Sequence, residues 1–166
     1  MRRLLVLGAL AIAVLAYASQ AAANTTAQVS MTFTEPIVPA FKSGDCPVVP
    51  DGFCGSGEVI PLGHATETIE FGAGCGGTCD LRTIYLTGGS ILIEETFSDF
   101  LCPGGKPEPC QSGQHGNGFP GSGTLTDTVI GGTGIFEGAT GSLSGNVRAA
   151  GLQSQIKLSG TISFDP

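Results

Sequence analysis

Three carboxylates in the chain have the chemistry of a binding or catalytic site: Glu67, Glu95 and Asp127. Each alternates in step with large apolar residues, so a β-strand would place it on the same face as those neighbours. A carboxylate desolvated on such a face has a raised pKa and can act as a general acid, a general base or a ligand-binding group. The apolar residues that share parity with the three carboxylates are Ile69, Phe71, Ile91, Ile93, Phe97, Leu125 and Val129.

The alternative for all three carboxylates is that their side chains lie on the solvent-facing side of the strands. A bulge near Pro61, or within the Glu94-Glu95 pair, would reverse the alternation and turn these side chains to solvent. We favour this alternative, because a slip of one residue is enough to produce it. If the side chains face inward instead, Glu67, Glu95 and Asp127 are candidate ligand-binding residues of the barrel interior. We assign no catalytic residue.

Six cysteines form three close pairs, each within its own Gly/Pro-rich stretch. An even number of cysteines in an exported chain is typical of disulfides, and the short spacing favours local closure. A zinc site is the alternative for Cys75-x-x-x-Cys79, but no second pair has similarly tight spacing, so we expect no metal and no cofactor. The predicted disulfides are Cys46–Cys54, Cys75–Cys79 and Cys102–Cys110.

The N-terminal segment 1–23 has the pattern of a signal peptide. Arg2 and Arg3 precede an apolar run from Leu4 to Ala18, and an A-x-A site ends at Ala23. A transmembrane helix is the alternative, but the run is shorter than the roughly 18–20 residues that a span needs. We predict a secreted protein in which residues 24–166 form one domain.

The charge balance is acidic and excludes some partners. Removing Arg2 and Arg3 with the signal would take the formal net charge from −7 to −9. A domain of this charge repels nucleic acid and anionic membranes, so we expect neither as a partner once the signal is cleaved.

The positioning elements are predicted to be antiparallel strands. The chain contains 27 glycines and only 13% charged residues, which argues against a helical bundle. Alternation is clear from Val29 to Thr34 and in a hairpin around Gly88-Gly89. Residues 36–57 and 102–123 read as long loops, and residues 58–71 as one strand that is broken or bulged at Pro61 and Gly63. Seven to eight strands without helices must stack or close, which predicts an all-β antiparallel barrel or sandwich with disulfide-closed loops.

The segment VIGGTGIFEGATG at 129–141 carries a family resemblance. It resembles the C-terminal half of the allene oxide cyclase-like and dirigent-like barrels, over about 40 residues. The resemblance implies an eight-stranded barrel of the calycin or dirigent-like type with a central cavity, often assembled as a dimer or trimer. The turn residues that carry it are Gly131, Gly132, Gly134, Phe136, Gly138, Ala139 and Gly141.

The same turn also has a physical interpretation. We expect Ile135 and Phe136 to plug one barrel end while Gly131, Gly132 and Gly134 adopt φ angles that other residues avoid. A phosphate-binding loop is the alternative for this glycine pattern, but no Walker lysine or amphipathic helix follows it.

Three classes of function follow from this sequence. They are a barrel that binds a small apolar molecule, an extracellular structural module, and a cyclase or isomerase of the allene oxide cyclase or dirigent type. We rank binding and structural roles above catalysis, because the sequence contains no recognisable catalytic constellation.

Overall fold

The computed structural model describes residues 24–36, 52–102, 106–107, 121–150 and 153–165. These ranges are all β-structure and the turns that join it. The strands are β1 Thr25–Pro36, β2 Gly52–Ile60, β3 Gly63–Gly74, β4 Cys79–Leu86, β5 Gly89–Cys102, β6 Lys106–Pro107, β7 Gly121–Gly134, β8 Thr140–Ala150 and β9 Gln153–Phe164.

Eight of the strands close into an antiparallel barrel, as predicted. Their order is β4-β3-β2-β1-β9-β8-β7-β5, and pairing of β4 with β5 completes the ring. The two-residue β6 pairs only with the end of β5. Closure leaves none of the eight strands with a free edge, which removes the sites at which sheets pair with other chains.

Period-two alternation explains the barrel interior. In β1, β7 and β9, apolar residues at every second position are buried while the Ser, Thr, Gln and Lys residues between them face outward. The inward side chains form one continuous apolar core. Its largest fully buried members are Phe33, Phe136, Met31, Ile69, Ile84, Ile91, Ile93, Leu125, Ile156, Leu158 and Ile162.

One predicted break is confirmed and one predicted loop is too long. The segment 58–71 is broken at Pro61 and Gly63, as predicted, and the break is a full reversal of the chain: β2 ends at Ile60, and Gly63 begins β3 with a φ of 111°. The prediction of a loop over residues 36–57 is wrong for residues 52–57, which pair with β3 as the first part of β2. Along residues 52–57, pairing across the strands outweighs the local glycine and proline signals.

The barrel has two distinct ends. At the first, which we call the turn end, tight turns join β2 to β3, β4 to β5 and β7 to β8. At the second, which we call the polar end, β1 finishes at Pro36 opposite the start of β9 at Gln153. The β3–β4 turn also lies at the polar end.

Phe136 closes the turn end. Its side chain is 1% exposed and packs edge-on against Phe164, with ring centroids 5.1 Å apart. The prediction for Ile135 is wrong, because this side chain is 46% exposed. It lies outside, beside Gly88.

The predicted glycine conformations are partly confirmed. Gly134 has a φ of 63°, in the left-handed region, as predicted. Gly138, for which no φ angle was predicted, has a φ of 71°. The prediction is wrong for Gly131 and Gly132, which do not have positive φ. Gly132 has a different requirement, since a Cβ there would overlap the carbonyl oxygens of Ser90 and Phe136.

Of the three predicted disulfides, Cys75–Cys79 is present, in the β3–β4 turn. Cys54 is also disulfide-bonded. The predicted pairings Cys46–Cys54 and Cys102–Cys110 each include a residue outside the described ranges. The predicted signal segment 1–23 lies outside them as well. Within the described part of the chain, no helix is long and apolar enough to cross a membrane.

Candidate functional site

The three candidate carboxylates all face the barrel interior. Glu67, Glu95 and Asp127 each have no exposed surface. The preference for a solvent-facing phase is therefore wrong. The irregularities exist, but they fall elsewhere: after Glu70 in β3, at Ile130 in β7 and between Ser98 and Leu101 in β5. The alternation is undisturbed where the carboxylates lie.

Two of the apolar residues that share their parity are less deeply buried. Phe71 is 45% exposed and Phe97 is 38% exposed. Both follow the carboxylates toward the polar end of the barrel. Phe71 contacts Phe53 edge-on, with ring centroids 5.0 Å apart. Both phenylalanines therefore lie closer to the polar end than the carboxylates on their own strands.

Arg82 lies at the centre of the interior charges and is fully buried. Its guanidinium grips Glu95 with two parallel hydrogen bonds, from Nε to Oε2 at 2.8 Å and from Nη2 to Oε1 at 3.0 Å. Nη1 donates to Glu35 Oε1 at 3.1 Å and also to Glu67 Oε2. The two parallel hydrogen bonds between Arg82 and Glu95 are bidentate, which is the strongest form of arginine–carboxylate pairing. One guanidinium therefore joins three strands to β4.

Glu35 extends this network to the polar end. It is the second-last residue of β1, and its Oε2 accepts a hydrogen bond of 2.6 Å from the Ser154 hydroxyl on β9. Gly55 on β2 makes the room, because a Cβ there would lie 2.7 Å from Glu67 Oε1 and 2.9 Å from Glu35 Cγ. A side chain at position 55 would push these two glutamates apart.

Burial and charge act against each other on the pKa values of the network. Burial raises the pKa of Glu67 well above its usual value, although Arg82 opposes the rise. A hydrogen bond with Glu35 adds to the rise, since two carboxyl groups can share one only when a proton is present. Burial likewise raises the pKa of Glu95 against the effect of Arg82. Burial alone would lower the pKa of Arg82, but the three glutamates outweigh it and hold the pKa above its usual value.

Asp127 stands apart from this network. It lies directly across from Glu95 on the neighbouring strand and across from Leu143 on its other side. Both of its carboxyl oxygens are buried, and neither has a hydrogen-bond partner among the described residues. Burial, reinforced by the charge of Glu95, raises the pKa of Asp127 to about 7. A buried polar group without a partner costs about 1–3 kcal/mol, so this position is destabilising in the unliganded protein.

The arrangement can bind or protonate a small molecule. Glu95 is held by Arg82, while Asp127 exchanges its proton near neutral pH, so the two opposed carboxyl groups have different roles. The interior carboxylates do not form a group of three converging metal ligands among the described residues. Among the described residues, the group of three side chains whose ligand atoms converge within 4.8 Å is Cys75, Cys79 and Glu94. The two sulfur atoms of that group are already joined to each other.

Sequence reasoning missed Arg82, Glu35, Ser154 and Gly55. Alternation with apolar residues, the pattern that identified the three carboxylates, was also present for Arg82 and Glu35. Arg82 alternates in step with Ile84, and Glu35 alternates in step with Met31 and Phe33. No local pattern marks Ser154 or Gly55, because their roles depend on strands that are distant in sequence.

No family model, no curated protein and no solved structure matches this chain. The resemblance of residues 129–141 to the allene oxide cyclase-like and dirigent-like barrels therefore stays a prediction.

Proposed function

We propose that the protein is an exported barrel that binds a small molecule midway along its interior. The observation that carries the proposal is Asp127, a fully buried carboxyl group with no partner for either oxygen in the described structure. Buried polar groups in proteins are normally hydrogen-bonded, so an exception of this kind is typical of a functional position.

The position of the ligand differs from the sequence expectation of an apolar molecule filling the barrel. Toward the turn end, the interior is occupied by the protein's own side chains, among them Phe136, Ile84 and Ile162. Midway along the barrel, the two carboxyl oxygens of Asp127 have no partner among the described residues and can hydrogen-bond to a ligand. The ligand we propose therefore has a polar group that meets Asp127 and an apolar part beside Leu125 and Leu143.

The Arg82 network has a supporting role in this proposal. Its bidentate grip fixes Glu95 opposite Asp127, and its contacts with Glu35 and Glu67 tie together the strands that surround the site. Preorganised side chains of this kind reduce the entropy that a ligand must overcome on binding.

Native mass spectrometry of protein recovered from the medium of the producing cells tests the proposal. This secreted protein should begin at Asn24. We expect a co-purifying small molecule on the wild type that is lost from Asp127→Asn. Asp165→Asn, at an exposed carboxylate near the C-terminal end of β9, is the matched control and should keep the adduct. A bare wild-type protein whose melting temperature is unchanged by a small-molecule library would instead favour an extracellular structural module.

An isomerase of the allene oxide cyclase or dirigent type is the second candidate. The pKa of about 7 at Asp127 favours it, because a general acid works best when its pKa is near the working pH. Ring closure of an allene oxide is the reaction that the resemblance implies. An isomerase that uses Asp127 as the acid should slow as pH rises above 7 and should be inactive as Asp127→Asn; turnover by that variant would refute the role.

A further inference from the structure

The interior of the barrel has an excess of acidic groups. Four carboxyl groups, Glu35, Glu67, Glu95 and Asp127, lie in or beside the network of a single guanidinium. Among the described residues, Arg82 is the one buried basic side chain. Negative charge without a counter-charge is costly in a buried setting, so the surplus must be neutralised by protons or by a further cation.

Arg82 acts on Asp127 through its charge but makes no hydrogen bond with it. Its Nε and Nη2 atoms donate to Glu95, and its Nη1 atom donates to Glu35 and Glu67. Asp127 receives none of these hydrogen bonds. The position beside Asp127 is therefore the place in the cluster where a second positive charge would find both oxygens available.

The surroundings of Asp127 favour an organic cation. The carboxyl oxygens of the cluster are not among the described atoms that converge as three potential metal ligands. Instead, Asp127 is flanked by Leu125 and Val129 on its own strand and faces Leu143 on the next. Phe97 lies across from Leu125, closer to the polar end, and an aromatic face also attracts cations.

We propose, building on the function proposed above, that Asp127 binds the ammonium group of a small organic amine whose apolar part lies against Leu125, Leu143 and Phe97. The ammonium group replaces the proton that Asp127 otherwise holds. Binding is then coupled to release of that proton, and it strengthens as Asp127 ionises. The other inward-facing charged groups of the described strands are Glu35, Glu67, Asp80, Arg82 and Glu95.

Titration calorimetry with benzylammonium chloride, between pH 5 and pH 8 in phosphate and acetate buffers, tests the inference. The affinity should rise about tenfold from pH 5 to pH 6 and level off above pH 7, as expected for a carboxyl group that must ionise near pH 7. Benzyl alcohol, a neutral probe of the same shape, should bind at least tenfold more weakly at pH 8. Asp127→Asn should lose the pH dependence and most of the affinity, whereas Asp165→Asn should keep both.

A pH-stat titration in unbuffered sodium chloride at pH 6 gives a second readout. The wild type should release close to one proton per bound benzylammonium, and Asp127→Asn should release none. If benzyl alcohol binds as tightly as benzylammonium, the preference for a cation is overturned while the binding function stands. If neither probe binds at millimolar concentration, the amine inference is overturned, and the adduct seen by native mass spectrometry decides the binding function separately.

Discussion

At the scale of single residues, the interior of this barrel is defined by one arginine and the carboxyl groups around it. Arg82 bonds to three glutamates, whereas Asp127 has no hydrogen-bond partner among the described residues. Arg82 and the three glutamates form a buried ion network, whereas Asp127 is a buried acid with a pKa of about 7. These differences in environment predict different responses to substitution and to pH.

The stability of the protein should depend on pH through Asp127. Its pKa is about 7 in the folded protein, against about 3.9 in an unfolded chain. Between these values the folded state holds a proton that the unfolded state has released, so stability falls as pH rises from about 4 to about 7. Asp127→Asn cannot ionise. Its free energy of unfolding relative to wild type should therefore increase by up to about 4 kcal/mol between pH 4 and pH 8.

Urea denaturation at pH 4, 6 and 8 measures this difference. Asp165→Asn, at an exposed carboxylate, serves as the control and should follow the wild-type curve. Parallel curves for Asp127→Asn and wild type would contradict a raised pKa at Asp127.

Replacing Arg82 by methionine should be strongly destabilising at neutral pH. The substitution leaves Glu35, Glu67 and Glu95 buried without their counter-charge, which costs about 3–5 kcal/mol for a broken buried ion pair. The loss should be smallest in acid, because the raised pKa values of Glu67 and Glu95 let these two groups take up protons there. It should grow as pH rises.

Chemical denaturation at pH 4 and pH 7 tests this expectation. Arg148→Met on the outer face of β8 is the matched control, and an exposed site of this kind should change stability by less than about 0.5 kcal/mol. Equal effects of the two substitutions at pH 7 would show that the buried network contributes nothing.

At the scale of elements, the β7–β8 turn closes the barrel and carries the features that the sequence made most visible. Gly134 has a φ of 63°, and a Cβ there would overlap the carbonyl oxygen of Gly88. Gly131, three residues earlier, has open space around it. The two glycines form an internal comparison within one segment.

Gly134→Ala should destabilise the protein by about 1–3 kcal/mol, since the left-handed region is strained for any residue with a Cβ. Gly131→Ala should be close to neutral. Thermal unfolding followed by circular dichroism distinguishes them. Equal melting temperatures for Gly134→Ala and Gly131→Ala would rule out a requirement for glycine at position 134.

Phe136 tests the closure of the turn end itself. Phe136→Ala should cost about 3–5 kcal/mol, the range for deleting a buried aromatic side chain. Ile135→Ala, at an exposed neighbour in the same turn, should have little effect. A melting temperature for Phe136→Ala within a degree of wild type would mean that the ring does not close the barrel.

At the scale of the whole molecule, disulfides and strand pairing should act together. Each predicted disulfide closes a short segment between or beside strands that are already paired, and loops of this length contribute about 2–3 kcal/mol each in the chain-entropy model. Peptide mapping of the non-reduced protein should recover Cys46–Cys54 and Cys102–Cys110 together with Cys75–Cys79. Crossed links between the first and third pairs would instead show that distant segments are bonded to each other.

The sequence was enough to predict the fold class and the hairpin around Gly88-Gly89. It also placed the Cys75–Cys79 disulfide and the buried position of Phe136. Each of these depends on features that are local along the chain: alternation, turn glycines and short cysteine spacing. The positions of Glu67, Glu95 and Asp127 on apolar faces were also visible, but their direction was not.

The inward direction of the three carboxylates depends on the closed barrel. So does the network in which Arg82 bonds to Glu67, Glu95 and Glu35, while Asp127 has no partner among the described residues. The face on which a side chain lies depends on where the bulges fall. These lie after Glu70, at Ile130 and between Ser98 and Leu101, at positions set by pairing with neighbouring strands. The network depends on barrel closure, which brings Arg82 within 3.1 Å of a carboxylate 47 residues away. Contacts of this kind arise from the register of the whole ring, because no short stretch of sequence contains both partners.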